Sequence, residues 1–407
     1  MAYSKDIEWK KQIIIFLLGQ NISLFGSSLV QYAIMWHITM TTQSGLMMTI
    51  SILCGFLPTF FISPFAGVWA DRYDRKKIIL ISDSLVAVST LILALVYAMG
   101  YTHLYLLFIA SAVRAVGGGI QRPAVNAFVP EIVPSEELLT VNGYNSSFQS
   151  VINVASPVAS GFLLSIAPLF YIFFIDVITA AFAVLLLLFF VKRIYHPETQ
   201  PDDESSFVKI RTGLRYIASH PLIRTLFLYL SFFYILVSPL AFLTPLQVSR
   251  SFGNDVWYLT ALEACFSSGM IVGGFLVGFF GKKAKETNLL KASFAVFTLT
   301  TLALGIVSDF ALYLAVMVIC GAAMPLFDPP LITIMQREVD PEYMGRVFSV
   351  VVMIPSVFMP LSMVVYGPLS DIVPIESVLL VTACLMALLT VSIVMNKAVN
   401  TYAEKKM

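Results

Sequence analysis

Apolar residues run along this chain in long blocks separated by polar breaks. A helix crossing the hydrocarbon layer needs about 20 predominantly apolar residues, so the pattern predicts an all-α membrane protein. Twelve blocks qualify, at about 12–38, 45–70, 77–99, 103–128, 139–165, 168–191, 221–247, 257–280, 288–308, 310–335, 344–366 and 373–396. Most breaks are short. The exception is 192–220, which holds Lys192 and Arg193, the acidic run Asp202, Asp203 and Glu204, and then Lys209, Arg211 and Arg215. It divides the chain into 1–191, a linker 192–220 and 221–407, with six predicted spans on each side. Within the linker, Val208, Ile210, Leu214 and Ile217 fall near one helical face, which predicts a short amphipathic helix on the membrane surface.

A repeat supports the division. Pro123, Phe128 and Glu131, leading into Leu138–Val141, have counterparts in Pro329, Ile334 and Arg337, leading into Met344–Val347. Gly67 and Asp71 before a basic run are echoed weakly by Gly278 and Gly281 before Lys282 and Lys283. Two parallel halves about a cleft are one architecture of secondary transporters.

Charge placement sets an expected orientation. With the N-terminus in the cytoplasm, every Lys and Arg falls on the inner side except Arg250, in an outer loop, and Arg114, within the fourth span. This obeys the positive-inside rule, and two inner termini require an even number of spans. Trp9 and Trp69 then fall at the inner boundary, Trp36 and Trp257 at the outer one, as an interfacial aromatic belt requires. Composition agrees. The 407 residues are 58% hydrophobic and 12% charged, too few charges for a soluble enzyme's surface. A net charge of +1 excludes a strongly basic nucleic-acid binder. Cys54, Cys265, Cys320 and Cys384 all lie in apolar segments without a CxxC pair, and read as core or lipid-facing residues. The first apolar block runs on too far for a signal peptide and reads as a retained helix.

The polar residues inside the spans are the candidate chemistry. Arg114 lies near mid-bilayer, with Gly117, Gly118, Gly119 and Gln121 after it. A charge there must be paired or wetted; it either functions or is a structural arginine satisfied by carbonyls and amides. In the fifth span Asn142, Asn145, Gln149, Asn153, Ser156 and Ser160 form one stripe over five turns. Such a stripe lines a wet path or packs against another polar helix. The first span offers Gln20, Ser27 and Gln31, the eleventh Ser349, Met353, Ser356 and Pro360. Of the carboxylates, Asp83 is expected to partner the nearby Arg75 and Lys77. Asp328, before Pro329 and Pro330, is expected to cap or mark a kink. Asp176 and Glu263 lie deeper. A desolvated carboxylate can bind and release a proton or pair with a cationic substrate, and both remain open to an interhelical or rim role. Four scattered histidines give no catalytic cluster for a membrane enzyme. No filter or repeated charge ring marks a channel, and no nucleotide-binding loop is present.

The run Gly67-Val-Trp-Ala-Asp71-Arg72-Tyr-Asp74-Arg75-Lys76-Lys77 resembles the signature loop of the major facilitator superfamily, with Asp74 where that family usually has glycine. Gly67 is expected to let two helices approach, and Asp71 to latch one conformation, with Arg72 and Arg75. Arg114 matches the family's arginine of the fourth helix, linked to proton coupling. Ala155-Ser156-Pro157-Val-Ala-Ser160-Gly161 is similar to the motif of its drug:proton antiporters. Within the superfamily the chain resembles bacterial macrolide efflux proteins and their siderophore-exporting relatives. The residues behind this are Gly55–Pro58, Asp71–Lys77, Pro123-Ala124 with Val133-Pro134, and Gly345–Ser349. The resemblance implies the major facilitator fold, two six-helix bundles, in a bacterial cell membrane. It implies proton-coupled export of a bulky amphipathic compound by alternating access, without a cofactor, metal or nucleic-acid partner, and by a monomer. The substrate would be a macrolide, whose amino sugar is cationic, or else a siderophore, tetracycline or lipid. Glu263, Asp176 and Arg114 would serve the proton. Gln20, Gln31, Asn145, Gln149, Asn153, Ser349 and Met353, with aromatic walls Tyr229, Phe232 and Phe233, would line the substrate cavity.

Overall fold

The computed structural model describes residues 2–192, 206–280 and 284–404. Among these, twelve helices are long and apolar enough to cross a membrane. They are α1 (Ala2–Thr42), α2 (Gly45–Arg72), α3 (Arg75–Ala98), α4 (Leu104–Ile132), α5 (Leu138–Ile166), α6 (Leu169–Phe190), α8 (Pro221–Ser251), α9 (Val256–Phe280), α10 (Glu286–Leu304), α11 (Phe310–Glu338), α12 (Met344–Ile372) and α13 (Ile375–Met395). Two short helices, α7 (Ser206–Ser219) and α14 (Lys397–Glu404), complete the set. Arg193, the acidic run of the linker, Gly281, Lys282 and Lys283 lie outside the described residues.

The chain forms two compact units, Met1–Ile38 with Ile50–Ser206, and Thr39–Thr49 with Phe207–Met407. The turn joining α1 to α2 and the helix α7 therefore both belong to the second unit.

In the first unit α3 packs along α4 and α6. Asp74, in the glycine position of the signature loop, caps α3 by accepting from the Lys77 amide at 3.1 Å. A short polar side chain is favoured at an N-cap for this reason. Lys76 donates to the Val191 and Leu188 carbonyls, at 2.7 and 3.2 Å, at the end of α6, where a cation suits the exposed carbonyls. Arg75 is buried. It donates to the Ala70 and Ala127 carbonyls at 2.9 and 3.2 Å and pairs with Glu131 at 2.9 Å. One side chain thus joins the ends of α2 and α4 to the start of α3. A core of Trp9, Ile13, Phe16, Phe128, Ile132 and Leu187 lies beside this junction. Elsewhere in the unit, Gly119 allows α4 to meet α2, since a Cβ there would stand 3.1 Å from Thr59 Cα. Gly67 has no such role, because a Cβ on it would meet nothing within 4 Å.

In the second unit α9 and α10 pack on α11, α8 on α12 and α13, and α10 on α13. Side chains on Gly269, Gly273 or Gly321 would strike the backbones of Val318, Ala322 or Phe266, so small residues set the α9–α11 approach. Phe233, Phe294, Phe297 and Phe327 form an aromatic nest, with Phe233 and Phe327 stacked at 4.3 Å. The start of α10 and the end of α11 carry the ion pair Glu286–Arg337 at 2.5 Å. Arg337 is the repeat counterpart of Glu131, so the same junction recurs with its charges exchanged.

The α1–α2 turn is held tightly within the second unit. Asp371 near the end of α12 accepts from the Gly45 amide at 2.7 Å, the Leu46 amide at 2.9 Å and Ser44 Oγ at 2.8 Å. It also pairs with Arg250 at 2.8 Å. Arg250 holds the carbonyl of Ser370 at 2.6 Å and that of Gln43, a non-glycine residue at φ 46°. Thr49 bonds the Met363 carbonyl at 3.0 Å. One carboxylate therefore satisfies two of the orphan amides at the start of α2.

Two expectations need correction. Trp36 is fully buried, edge-on to Tyr32, and Trp9 is 5% exposed, so of the four tryptophans only Trp69 and Trp257 present open surface. The apolar face read in α7 is also different. Val208 and Leu214 are exposed, while Gly213 abuts the Arg346 backbone, and Tyr216 stacks on Tyr343 at 4.7 Å and donates to Asp340 at 3.1 Å. Ile217 of the aliphatic pattern is buried and Ile210 half-buried, so the packed face holds these two with Tyr216, an aromatic absent from that pattern.

Two outcomes follow. Arg75→Ala leaves Glu131 without its cation and is expected to cost about 3–5 kcal/mol. The exchange R75E/E131R should recover part of this, because the second unit holds that polarity, but not all, because two carbonyls lose their donor. Thermal melts of the wild type and the two purified variants decide it; a double variant no better than the single would refute the equivalence. Arg250→Ala should speed amide exchange at Gly45 and Leu46 while leaving that of α3 unchanged, read by hydrogen–deuterium exchange.

Candidate functional site

The deepest charges lie in the first unit. Asp176 on α6 is fully buried and ion-paired to Arg114 on α4. It also accepts from Ser27 Oγ of α1 at 2.9 Å and Thr90 Oγ1 of α3 at 3.0 Å. Arg114 reaches on to the Ser27 carbonyl at 3.0 Å and to Thr90. The two residues expected separately at a proton site are thus one pair that ties four helices. A buried pair contributes little net stability, but removing either partner strands a charge.

About two turns away along each helix is a second network. Gln121 of α4 donates to Gln20 of α1 at 2.7 Å, and Gln20 donates to Asp83 of α3 at 3.2 Å. Two expectations change here. Gln20 is 7% exposed and knits helices together rather than lining an open wall. Asp83 does not serve the signature loop; Arg75 already has Glu131, and Asp83 sits two turns farther along α3, facing Gln20. Gln31 is half-buried beside Gly55.

The fifth-span stripe splits in two. Asn142, Gln149 and Asn153 are exposed and Asn145 half-buried, whereas Ser156 and Ser160 are buried. Ser160 donates to the Leu29 carbonyl of α1 at 3.0 Å. The open part of α5 also exposes Tyr144, Phe148 and Val151, which lie roughly 60–180° around the helix from the amides. One helix thus presents an amide face and an aromatic face. Against it lies a cavity of about 360 Å³ between α1 and α5, lined by Trp9, Lys10, Leu17, Asn21, Tyr144 and Phe148 among others. Asn21, one of the lining residues, donates to Asn145 of α5 at 3.3 Å. A mostly apolar wall with a few convergent polar groups suits an amphipathic guest. Asn21, Tyr144 and Phe148 were not among the residues picked out along the chain. The four-residue spacing of Tyr144 and Phe148 was the available signal.

In the second unit Glu263 is half-buried on α9 and, among the described residues, has no hydrogen bond or ion pair. Of the expected aromatic walls, Phe232 is 53% exposed but Phe233 is 1% exposed, inside the aromatic nest. Tyr229 bonds Ser392 of α13 at 2.7 Å and accepts from Asn396 at 3.4 Å, which makes it an interhelical tie. Ser349 is exposed, bonded to its own turn at Gly345, and Met353 is half-buried. Of the expected latch, Gly67 is open and Arg72 exposed, Arg75 is a buried brace, and the side chain of Asp71 lies outside the described residues.

Apolar spanning helices in two units, knit by internal polar networks, define a polytopic membrane protein with the architecture of a transporter. The profile of the Major Facilitator Superfamily matches residues 13–357, and the chain belongs to that family of transporters. It is 29% identical to Macrolide efflux protein A of Streptococcus pyogenes over 365 residues, covering 89% of this chain and 90% of that one. To Macrolide efflux protein A of Enterococcus faecalis it is 29% identical over 322 residues, 79% of this chain and 99% of that one. A solved bacterial homologue of the human lysosomal transporter Spinster shares the fold, with a TM-score of 0.71 at 16% identity, covering 98% of each chain.

The buried pair yields a test. Asp176→Asn leaves Arg114 with an uncompensated charge and is expected to cost about 3–5 kcal/mol, seen as a lower melting temperature. R114Q/D176N should melt higher than D176N alone. If D176N melts like the wild type, the four-helix tie is not what holds Arg114.

Proposed function

We propose that this protein is a proton-coupled exporter of a bulky amphipathic compound of the macrolide type, working by alternating access in a bacterial cell membrane with both termini cytoplasmic. The observation that carries the reading is α5, whose exposed Tyr144 and Phe148 line the cavity against α1 while Asn142, Gln149 and Asn153 are open on another face of the same helix. A macrolide presents both hydroxyls and a broad apolar ring, and such a surface offers contacts to each. The likeness to two macrolide efflux proteins over most of their length supports the same class. Nothing in this reading calls for a chemical step on the substrate.

In this reading Glu263 carries the proton. Asp176 is already committed to Arg114, Thr90 and Ser27, whereas Glu263 has no partner among the described residues. A carboxylate in a spanning helix with no fixed counter-charge is poised to take up a proton on one side and release it on the other. Asp71 and Arg72 of the signature loop bias the two access states, acting on their balance rather than on affinity.

A susceptibility panel tests the function. Cells expressing the chain should survive higher macrolide concentrations, and a protonophore should remove the protection. Protection limited to tetracycline or a siderophore would redirect the substrate, and protection that persists with the protonophore would remove proton coupling. In proteoliposomes, Glu263→Gln should reduce substrate-induced proton flux to background while downhill substrate exchange continues. Unchanged proton flux would take Glu263 out of the mechanism.

A further inference from the structure

A second carboxylate stands open in a spanning helix. Asp328 lies about 27 Å from the start of α11 and about 15 Å from its end, at 1.5 Å per residue. That depth is within the hydrocarbon layer for a helix of this length. It caps nothing, since α11 runs on through Pro329 and Pro330 to Glu338. It is exposed and, among the described residues, makes no hydrogen bond or ion pair.

The helix geometry says which way it points. Leu312, Ala315 and Ile319 share an exposed apolar face of α11, suited to lipid. Asp328 is nine residues beyond Ile319, two and a half turns on, and so lies on the opposite side. A carboxylate in lipid costs a few kcal/mol; Asp328 lies off the face of Leu312 and Ile319 and shares its exposed face with Ile332, 41% exposed. Around it are apolar and aromatic groups. Met324 and Ile332 lie one turn away on either side, and Tyr234 of α8 is within electrostatic reach, its ring edge-on to Phe327 at 6.0 Å. An unpaired anion among apolar side chains with a tyrosine nearby is a receptor for an organic cation, the anion meeting the charge and the ring its face.

We propose that Asp328 is the counter-charge for the basic amine of the exported compound, and that it sets a preference for cationic over uncharged amphiphiles. This rests on the export reading above. Glu263 remains the proton carrier, so the two carboxylates divide the work.

The test uses one macrolide in two forms, the native dimethylamino sugar and its N-oxide, which is uncharged near neutral pH. Both are loaded into proteoliposomes or vesicles holding the full chain. Wild type should export the amine about tenfold better than the N-oxide, the value of one charge-assisted contact. Asp328→Asn should export the N-oxide at the wild-type rate and lose the preference, and Asp328→Glu should retain it. A D328N protein that keeps the preference, or that loses export of both forms while folded, overturns the assignment. Export of neither form by the wild type removes the export reading itself and this proposal with it. Should D328N fail to fold, Asp328→Cys is treated with a cationic, membrane-impermeant thiosulfonate, with the native chain as background. Labelling blocked by the amine but not by the N-oxide supports the site. No labelling means the position faces lipid and ends the proposal.

Discussion

Inside a bilayer a polar group has no water to fall back on, and the protein must supply its partners. Asp176 shows this constraint at its strongest. Its carboxylate is fully buried and takes Arg114, Thr90 and Ser27 from three other helices. The arrangement of α1, α3, α4 and α6 is therefore tied to one anion, and each of the four helices is placed by what it must deliver there. The Gln121–Gln20–Asp83 chain extends the same logic to another level of α3 with neutral donors.

The junction at the ends of the helix pairs obeys it too. Arg75 with Glu131 and Glu286 with Arg337 occupy equivalent places in the two units with exchanged charges. Electrostatic attraction is indifferent to which side carries which sign, so duplication can preserve the contact while the letters diverge. The repeat is faint in the chain for that reason. Aligned position by position, Glu131 against Arg337 looks like a mismatch, yet the two do the same thing.

Once the paired groups are set aside, few polar groups in the spanning helices remain open. Glu263, Asp328 and the amides Asn142, Gln149 and Asn153 have surface exposed and are not committed to holding helices together. The contrast between neighbours is sharp. Phe232 faces out and Phe233 fills the aromatic nest. Ser160 bonds α1, and Asn153, seven residues earlier on the same stripe, does not. Substrate chemistry has to be sought among the residues that packing has left over.

Hydrophobic block length alone determined the twelve spans, because a helix must bridge a fixed apolar thickness whatever it packs against. The signature loop and the helix-four arginine were likewise legible, as local runs with fixed spacing. Which polar residue answers which was decided only by tertiary structure. Asp83 sits near Arg75 in sequence but bonds Gln20, and Arg75 finds Glu131, fifty-six positions away. Partner choice depends on the rotation and depth of each helix, which period counting fixes for one helix at a time and never between two. The same holds for Tyr144 and Phe148, ordinary apolar positions along the chain that border a cavity only once α1 and α5 are packed together.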